Sequence, residues 1–296
     1  MSFKSYLSES SETPAYLLTE ESMENLTEVL ITFGNRPKFN QVVLLAGGAG
    51  SGKGFITKKL MGIDAKTFDV DQIKSQIIAP PTKKINKKIL DKYGVDVSKL
   101  NLRNPDDVKL LHQINDELGY SRKSQVNFFK NTEELAKKNM LPNVIFDVTM
   151  KNEKKIMEVT HQVQMAGYKR ENIHIIWIAT PTETAIKQNK TRSRVVPEDI
   201  LLATHNGVSA NMNNLMKKQK FQEYLDGFVY IVFNQKDIDN MIVSSGLGGS
   251  YVKKALILTI KYRNKKSIAV SEIATKFINK LKQYVPKESQ KAWDNI

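Results

Sequence analysis

Cysteine is absent from the 296 residues, so disulfides, thiolate metal ligation and cysteine nucleophiles are all excluded. Histidine is scarce. The four present, His112, His161, His174 and His205, show no H-E-x-x-H spacing, which argues against a zinc hydrolase. No apolar run reaches the roughly 18 residues of a membrane span, and residues 1–13 lack the apolar stretch of a secretory signal. A cytoplasmic chain is therefore expected, long enough for one medium domain with extensions or for two small ones. Acidic residues are thin outside the N-terminus. Of the formal net charge of +14, residues 1–34 carry −5, residues 251–296 carry +8, and the middle carries +11. A basic surface attracts nucleotides, nucleic acid or other polyanions, although solvated lysine faces produce the same composition.

Against these absences stands one informative run, Gly47-Gly48-Ala49-Gly50-Ser51-Gly52-Lys53-Gly54. It follows an apolar strand pattern at Gln41–Ala46 and opens an amphipathic helix pattern from Phe55 to Met61. Strand, glycine loop and helix in that order are the context a phosphate cradle requires. Glycines let successive backbone N–H groups curl inward as an anion nest, and the helix N-terminus adds positive potential. Lys53 then reaches the terminal phosphates, and Gly47 through Phe55 are the expected ATP- or GTP-binding residues. The Walker A pattern G-x-x-x-x-G-K-[ST] fails at its last position, where Gly54 replaces the hydroxyl that ligates Mg²⁺.

The remaining patterns organise the chain around that loop. Residues 1–37 read as an attached helical segment, with Met23, Leu26, Val29 and Leu30 on one face of Thr19–Phe33 and Gly34-Asn35-Arg36-Pro37 ending it. Residues 38–240 read as the core, interrupted at 80–142 by a helical insertion on the substrate side. There Asn104 is the expected N-cap, with Pro105 at the first helical position. Further strands are expected at Lys66–Asp71, Asn143–Val148, Ile173–Ala179 and Phe228–Phe233, the last of the core. Helices are expected at Lys154–Ala166, closed by Gly167, and from Pro181 into Gln188. Apolar strands alternating with helices predict an α/β fold, a P-loop-type parallel sheet with helices on both faces. Residues 245–296 read as a basic helical extension, with Gly246-Leu247-Gly248-Gly249-Ser250 as linker and Ile268–Val285 as an amphipathic helix.

Three constellations could carry chemistry. Asp71 closes the second strand, outside which ligands sit in a doubly wound sheet, and it is the expected catalytic base; Asp69, two residues earlier on the same side, competes for that role. Asp71 would equally serve as the N-cap of a helix from Gln72. Asp147 closes the apolar strand expected at Asn143–Val148, where an acid holds Mg²⁺ directly or through water; an ordinary strand-end turn is the alternative. Arg192 and Arg194, with Lys187 and Lys190 upstream, form an expected basic lid whose guanidinium forks clamp phosphate oxygens. A solvated basic turn would look the same.

In this order the pieces resemble the zeta toxin family of P-loop kinases. The phosphate loop, Asp71-x-x-Lys74, Ser121-Arg122 opening a helix, Asp147-Val148-Thr149-Met150-Lys151, Ala166-Gly167-Tyr168 and Arg194-Val195-Val196-Pro197 all fall where the family has counterparts. The resemblance covers about residues 38–235. It implies a kinase that moves the γ-phosphate of ATP or GTP to a small-molecule hydroxyl, in studied members that of a nucleotide-sugar. By that analogy Lys53 grips the phosphates, Asp71 is the base, Arg192 and Arg194 belong to the lid, and Asp69, Lys74, Arg122, Thr149 and Lys151 face the substrate. Mg²⁺ and a neutralising protein partner come with the analogy. Three departures stand out: the family's Glu-Gly-Thr-x-Arg is here Asp147-Val148-Thr149-Met150-Lys151, the lid is shorter, and Gly54 lacks a hydroxyl. Two other readings stay open, a nucleic-acid-directed kinase using the basic middle and tail, and a non-catalytic nucleotide-binding component. The opening Met1-Ser2-Phe3-Lys4-Ser5-Tyr6-Leu7 resembles the leader of many tailed-phage proteins, which implies a product acting in an infected cytoplasm or on a virion.

Overall fold

The computed structural model describes residues 38–57, 61, 63–78, 83–192, 195–218, 220–234, 242–244, 250–252, 256–261 and 278–295. The expected helix at 19–33, the linker residues 246–249, lid residue Arg194 and most of the expected helix at 268–285 lie outside them; residues 278–282 of the last are helical. Strand β1 (Val42–Ala46) runs into the glycine loop and the short helix α1 (Lys53–Phe55). After β2 (Lys66–Asp69) come five helices: α2 (Val70–Ile78), α3 (Lys83–Tyr93), α4 (Pro105–Leu118), α5 (Tyr120–Lys130) and α6 (Glu133–Lys137). Then follow β3 (Val144–Asp147), α7 (Glu153–Met165), β4 (Ile173–Ala179), α8 (Thr182–Lys190), α9 (Glu198–Lys217), α10 (Phe221–Tyr224) and β5 (Phe228–Phe233). The chain ends with β6 (Ile242–Ser244), β7 (Ser250–Val252), β8 (Leu256–Lys261) and α11 (Lys287–Gln290).

The sheet order is β2-β3-β1-β4-β5-β8. The first five strands are parallel, and β8 pairs antiparallel with β5 at the edge. Every residue of β1 and β4 is buried, as strands covered on both faces must be. Side chains alternate between the two faces. Val42, Leu44, Phe146, Ile175, Trp177 and Ile231 build one core against α7 and α9. Val43, Leu45, Ile145, Ile176 and Ile178 build the other against Ile56 and Met61. The insertion shares a small core with α2, with Ile77, Ile89, Leu111 and Ile114 at its centre. Its caps follow the sequence: Asn104 Oδ1 accepts from Asp106 N at 3.0 Å, Pro105 opens α4, and Gly119 ends it in the left-handed region at φ 62°.

Four expectations are corrected. The second strand stops at Asp69, and α2 begins at Val70 with no intervening turn, so Asp71 neither ends a strand nor caps a helix from Gln72; it lies in the first turn of α2. Phe228–Phe233 is not the last strand of the sheet, because β8 from the C-terminal segment continues it. That segment therefore contributes strand as well as helix. Ser250, read as the end of a linker, opens the strand β7, which pairs with β6. Finally, the helix after the glycine loop is only one turn before it widens: Met61 N–H bonds to Ile56 C=O at 3.0 Å, five residues back, in π-type geometry.

Candidate active site

β1 lies between β3 and β4, where the chain, having built one side of the sheet, crosses to build the other. Crevices outside the C-terminal strand ends at such a switch point are the usual ligand sites. The glycine loop fills this one. Gly50 (φ 70°) and Gly52 (φ 89°) are left-handed, and a Cβ on Gly50 would lie 2.1 Å from Ala185 C=O. The loop can close against α8 only because that atom is missing.

Four loop carbonyls are taken up by side chains. Lys53 Nζ donates to Gly47 C=O (2.7 Å) and Gly48 C=O (3.1 Å). A ring nitrogen of His205, Nε2, lies 2.9 Å from Ala49 C=O. Thr180 Oγ1 and Asn234 Nδ2 donate to Ser51 C=O at 3.2 and 3.0 Å. A peptide plane points its N–H opposite its C=O, so carbonyls tied to the protein turn the N–H groups of those peptides the other way. Ser51 Oγ is buried and makes no bond within the described residues, a polar atom left over inside the loop.

Lys53 Nζ also stands 3.6 Å from Asp147 Oδ1, with both side chains mostly shielded from solvent. Asp147 is the register partner of Asp69 across β2 and β3, so two carboxylates end adjacent parallel strands, that of Asp147 beside the lysine. Immediately after β3, Thr149 C=O accepts from Gly47 N–H at 3.4 Å. Met150, at φ 57°, turns the chain, and its carbonyl accepts from Asn211 of α9 at 2.9 Å. Lys151 follows with its Cβ region against Gly207. The structure thus brings Gly47 through Phe55, Asp69, Asp147, Thr149 and Lys151 to one end of the sheet.

The other expected residues are more dispersed. Lys74 is buried on α2. Asp71 precedes it by three residues, and its side chain lies outside the described residues. Arg122 is exposed on α5, and Arg192 is exposed just past α8. Beside Arg192, Asn189 Nδ2 donates to Val196 C=O (2.7 Å) while its Oδ1 accepts from Val196 N–H (3.1 Å), so one buried amide ties residue 196 back to α8. Gly54 has open space around it, with nothing within 4 Å of an added Cβ. The nearest hydroxyl along the helix, Thr57 Oγ1, bonds back to the carbonyls of Lys53 and Gly54 at 3.1 Å each.

Thr180, Asn234 and His205 are the loop supports that sequence reasoning missed. The signal for the first two was there: each is the polar residue directly following an apolar strand, as Asp147 closes its own. His205 carried no such signal. Burial, reinforced by the Lys53 charge and opposed by the bond to Ala49, lowers its pKa, so the ring is held neutral.

No family model matches the chain, and no curated protein matches it either. Among solved structures the chain is similar to the AvrRxo1-ORF1:AvrRxo1-ORF2 complex with ATP, at 10% identity over 86% of this chain and 76% of that one, TM-score 0.44. It is similar to a protein of the PezAT toxin–antitoxin system of Streptococcus pneumoniae, at 15% identity over 85% and 90%, TM-score 0.41. It is similar to deoxyadenosine kinase from M. mycoides with bound dATP, at 15% identity over 67% and 93%, TM-score 0.27. The strand order and the strand–glycine loop–helix unit place the fold among P-loop kinase-like α/β folds.

Proposed function

We propose that this chain is a phosphotransferase that binds ATP or GTP at Gly47–Phe55 and passes the γ-phosphate to a small-molecule hydroxyl, such as that of a nucleotide-sugar. The observation that carries the reading is the glycine loop with Lys53 beside Asp147, and with Asp69 in register with Asp147 on the next strand. A phosphoryl transfer needs little covalent chemistry from the protein; it needs charge placed where oxygens develop it. Lys53 at present donates two hydrogen bonds to loop carbonyls and pairs with the Asp147 charge at 3.6 Å. An arriving nucleotide would exchange those carbonyl bonds for charge-assisted bonds to phosphate. Arg192 and Arg194 would close over the transferring group from the α8 side, and Lys74, Arg122, Thr149 and Lys151 would hold the acceptor.

The base is one of two acids. Asp69 ends β2 in register with Asp147, and Asp71 lies in the first turn of α2. Either would accept the acceptor's hydroxyl proton as the oxygen attacks. Mg²⁺ fits the residues present: it takes one or two carboxylates together with substrate phosphates and waters, and Asp147 with Asp69 supplies that donor set. When bound it would neutralise charge on the β- and γ-phosphates. Gly54 contributes no ligand, so its affinity should be weaker than with a hydroxyl there. The resemblance to zeta toxins extends the proposal to a neutralising protein partner. Among the described residues no helix is long and apolar enough to cross a membrane.

Incubating the protein with γ-labelled ATP or GTP and a panel of nucleotide-sugars, nucleosides and oligonucleotides tests the reading. Label on a nucleotide-sugar or nucleoside supports it, and label confined to oligonucleotide ends moves it to a nucleic-acid kinase. Tight nucleotide binding without transfer points to a binding component that has lost its chemistry at Gly54.

A further inference from the structure

We propose that His205 is a positioning residue for the phosphate loop and that the C-terminal segment around Trp293 holds it in place. The inference rests on reading Gly47–Gly54 as a phosphate cradle. A carbonyl oxygen only accepts, so the 2.9 Å contact with Ala49 requires the His205 proton on Nε2. The ring also fills the space under Gly48, where an added Cβ would come within 2.3 Å of it. It therefore fixes the tip of the loop both by a hydrogen bond and by contact. Desolvation and the Lys53 charge keep the ring neutral, which preserves this single-donor role.

His205 is the first of three residues spaced four apart on α9. Ser209, one turn on, accepts from Trp293 Nε1 at 3.0 Å. Asn213, a further turn on, donates to Ala292 C=O at 3.1 Å. Trp293 is fully buried and stacks on Trp177 of β4, ring centroids 5.6 Å apart. The tail also faces the loop across a small cleft, lined by Tyr284 and Pro286 on one side and by Gly47, Gly48 and His205 on the other. A single face of α9 thus joins the phosphate loop at one end to the C-terminal segment at the other.

Two readouts test this on the full chain: amide hydrogen exchange at residues 48–52 without nucleotide, and ATP affinity by calorimetry. His205→Ala should speed exchange in the loop while β4 stays protected, and should weaken ATP binding about tenfold. His205→Gln carries an N–H donor of similar reach and should recover much of both. Trp293→Phe keeps the buried ring but loses the Ser209 bond; it should speed loop exchange as well, and it decides the matter if His205→Ala does not fold. Unchanged loop exchange in folded His205→Ala and Trp293→Phe, with only the melting temperature lowered, would overturn the proposal. If loop exchange responds while the wild type binds no ATP, the positioning role stands and the nucleotide reading fails.

Discussion

Moving from about pH 7 to about pH 5 should destabilise this protein through one residue far from the loop, His174. Its ring is fully buried at the N-terminal end of β4 and stacks on Phe228. Nδ1 accepts from Phe228 N–H at 2.9 Å, so the single proton sits on Nε2 and is donated to Gln41 Oε1, also at 2.9 Å. Burial pushes its pKa down from 6.5 to about 3. The folded state therefore refuses a proton that the unfolded chain takes up below about pH 6.5. The stability from the neutral ring is whole above the unfolded value and is lost progressively as pH falls toward about 3. At about 1.4 kcal/mol per pH unit, the loss reaches about 2 kcal/mol by about pH 5. Urea denaturation at the two pH values, for wild type and His174→Gln, isolates the effect. The variant should be less stable at neutral pH, but its stability should fall about 2 kcal/mol less between the two conditions. His205, whose pKa is also lowered by burial, titrates in both proteins and cancels from the difference. Parallel losses in the two proteins would refute the reasoning.

Glycine substitutions separate the loop's tight positions from its open one. Gly50→Ala combines a left-handed φ with a backbone collision and should lower stability by about 2 kcal/mol or more, whereas Gly54→Ala should melt within a degree or so of wild type. The base is assigned by paired variants: whichever of Asp69→Asn and Asp71→Asn loses transfer by about a hundredfold or more while still binding ATP is the proton acceptor. Gly54→Ser, for which the structure leaves room, should lower the Mg²⁺ concentration for half-maximal transfer, and Asp147→Asn should raise it; flat responses to both would place the metal elsewhere.

Legibility of the fold in the sequence followed burial. β4 and β5 were readable residue for residue because both faces of each are covered, leaving a run that is apolar apart from His174 in β4 and ends at a polar residue, Thr180 or Asn234. Asn104-Pro105 marked the start of α4 because capping is local chemistry. β8 was not legible. An edge strand pairs through its backbone with a partner that lies before it in sequence, and nothing in Leu256–Lys261 by itself distinguishes that pairing from a helix. The end of β2 was misjudged for a related reason: Phe68 is the only fully buried residue of the strand, so no apolar run showed where extended chain gave way to helix. At the candidate site, the placement of Lys53 and Asp147 was legible because a glycine loop opening a helix and a strand-end acid each have a sequence context. His205 acts across 156 residues of chain separation, which no local pattern encodes.

Phosphoryl transfer by wild type and Lys53→Ala, measured side by side with γ-labelled ATP and a responsive acceptor, tests the central claim most directly. The lysine sits on the loop backbone rather than in a core, and its removal should leave the melting transition in place. Losing that charge at a reacting phosphate should slow transfer by more than about a hundredfold, near 3 kcal/mol. A folded Lys53→Ala protein that turns over at the wild-type rate would contradict the account.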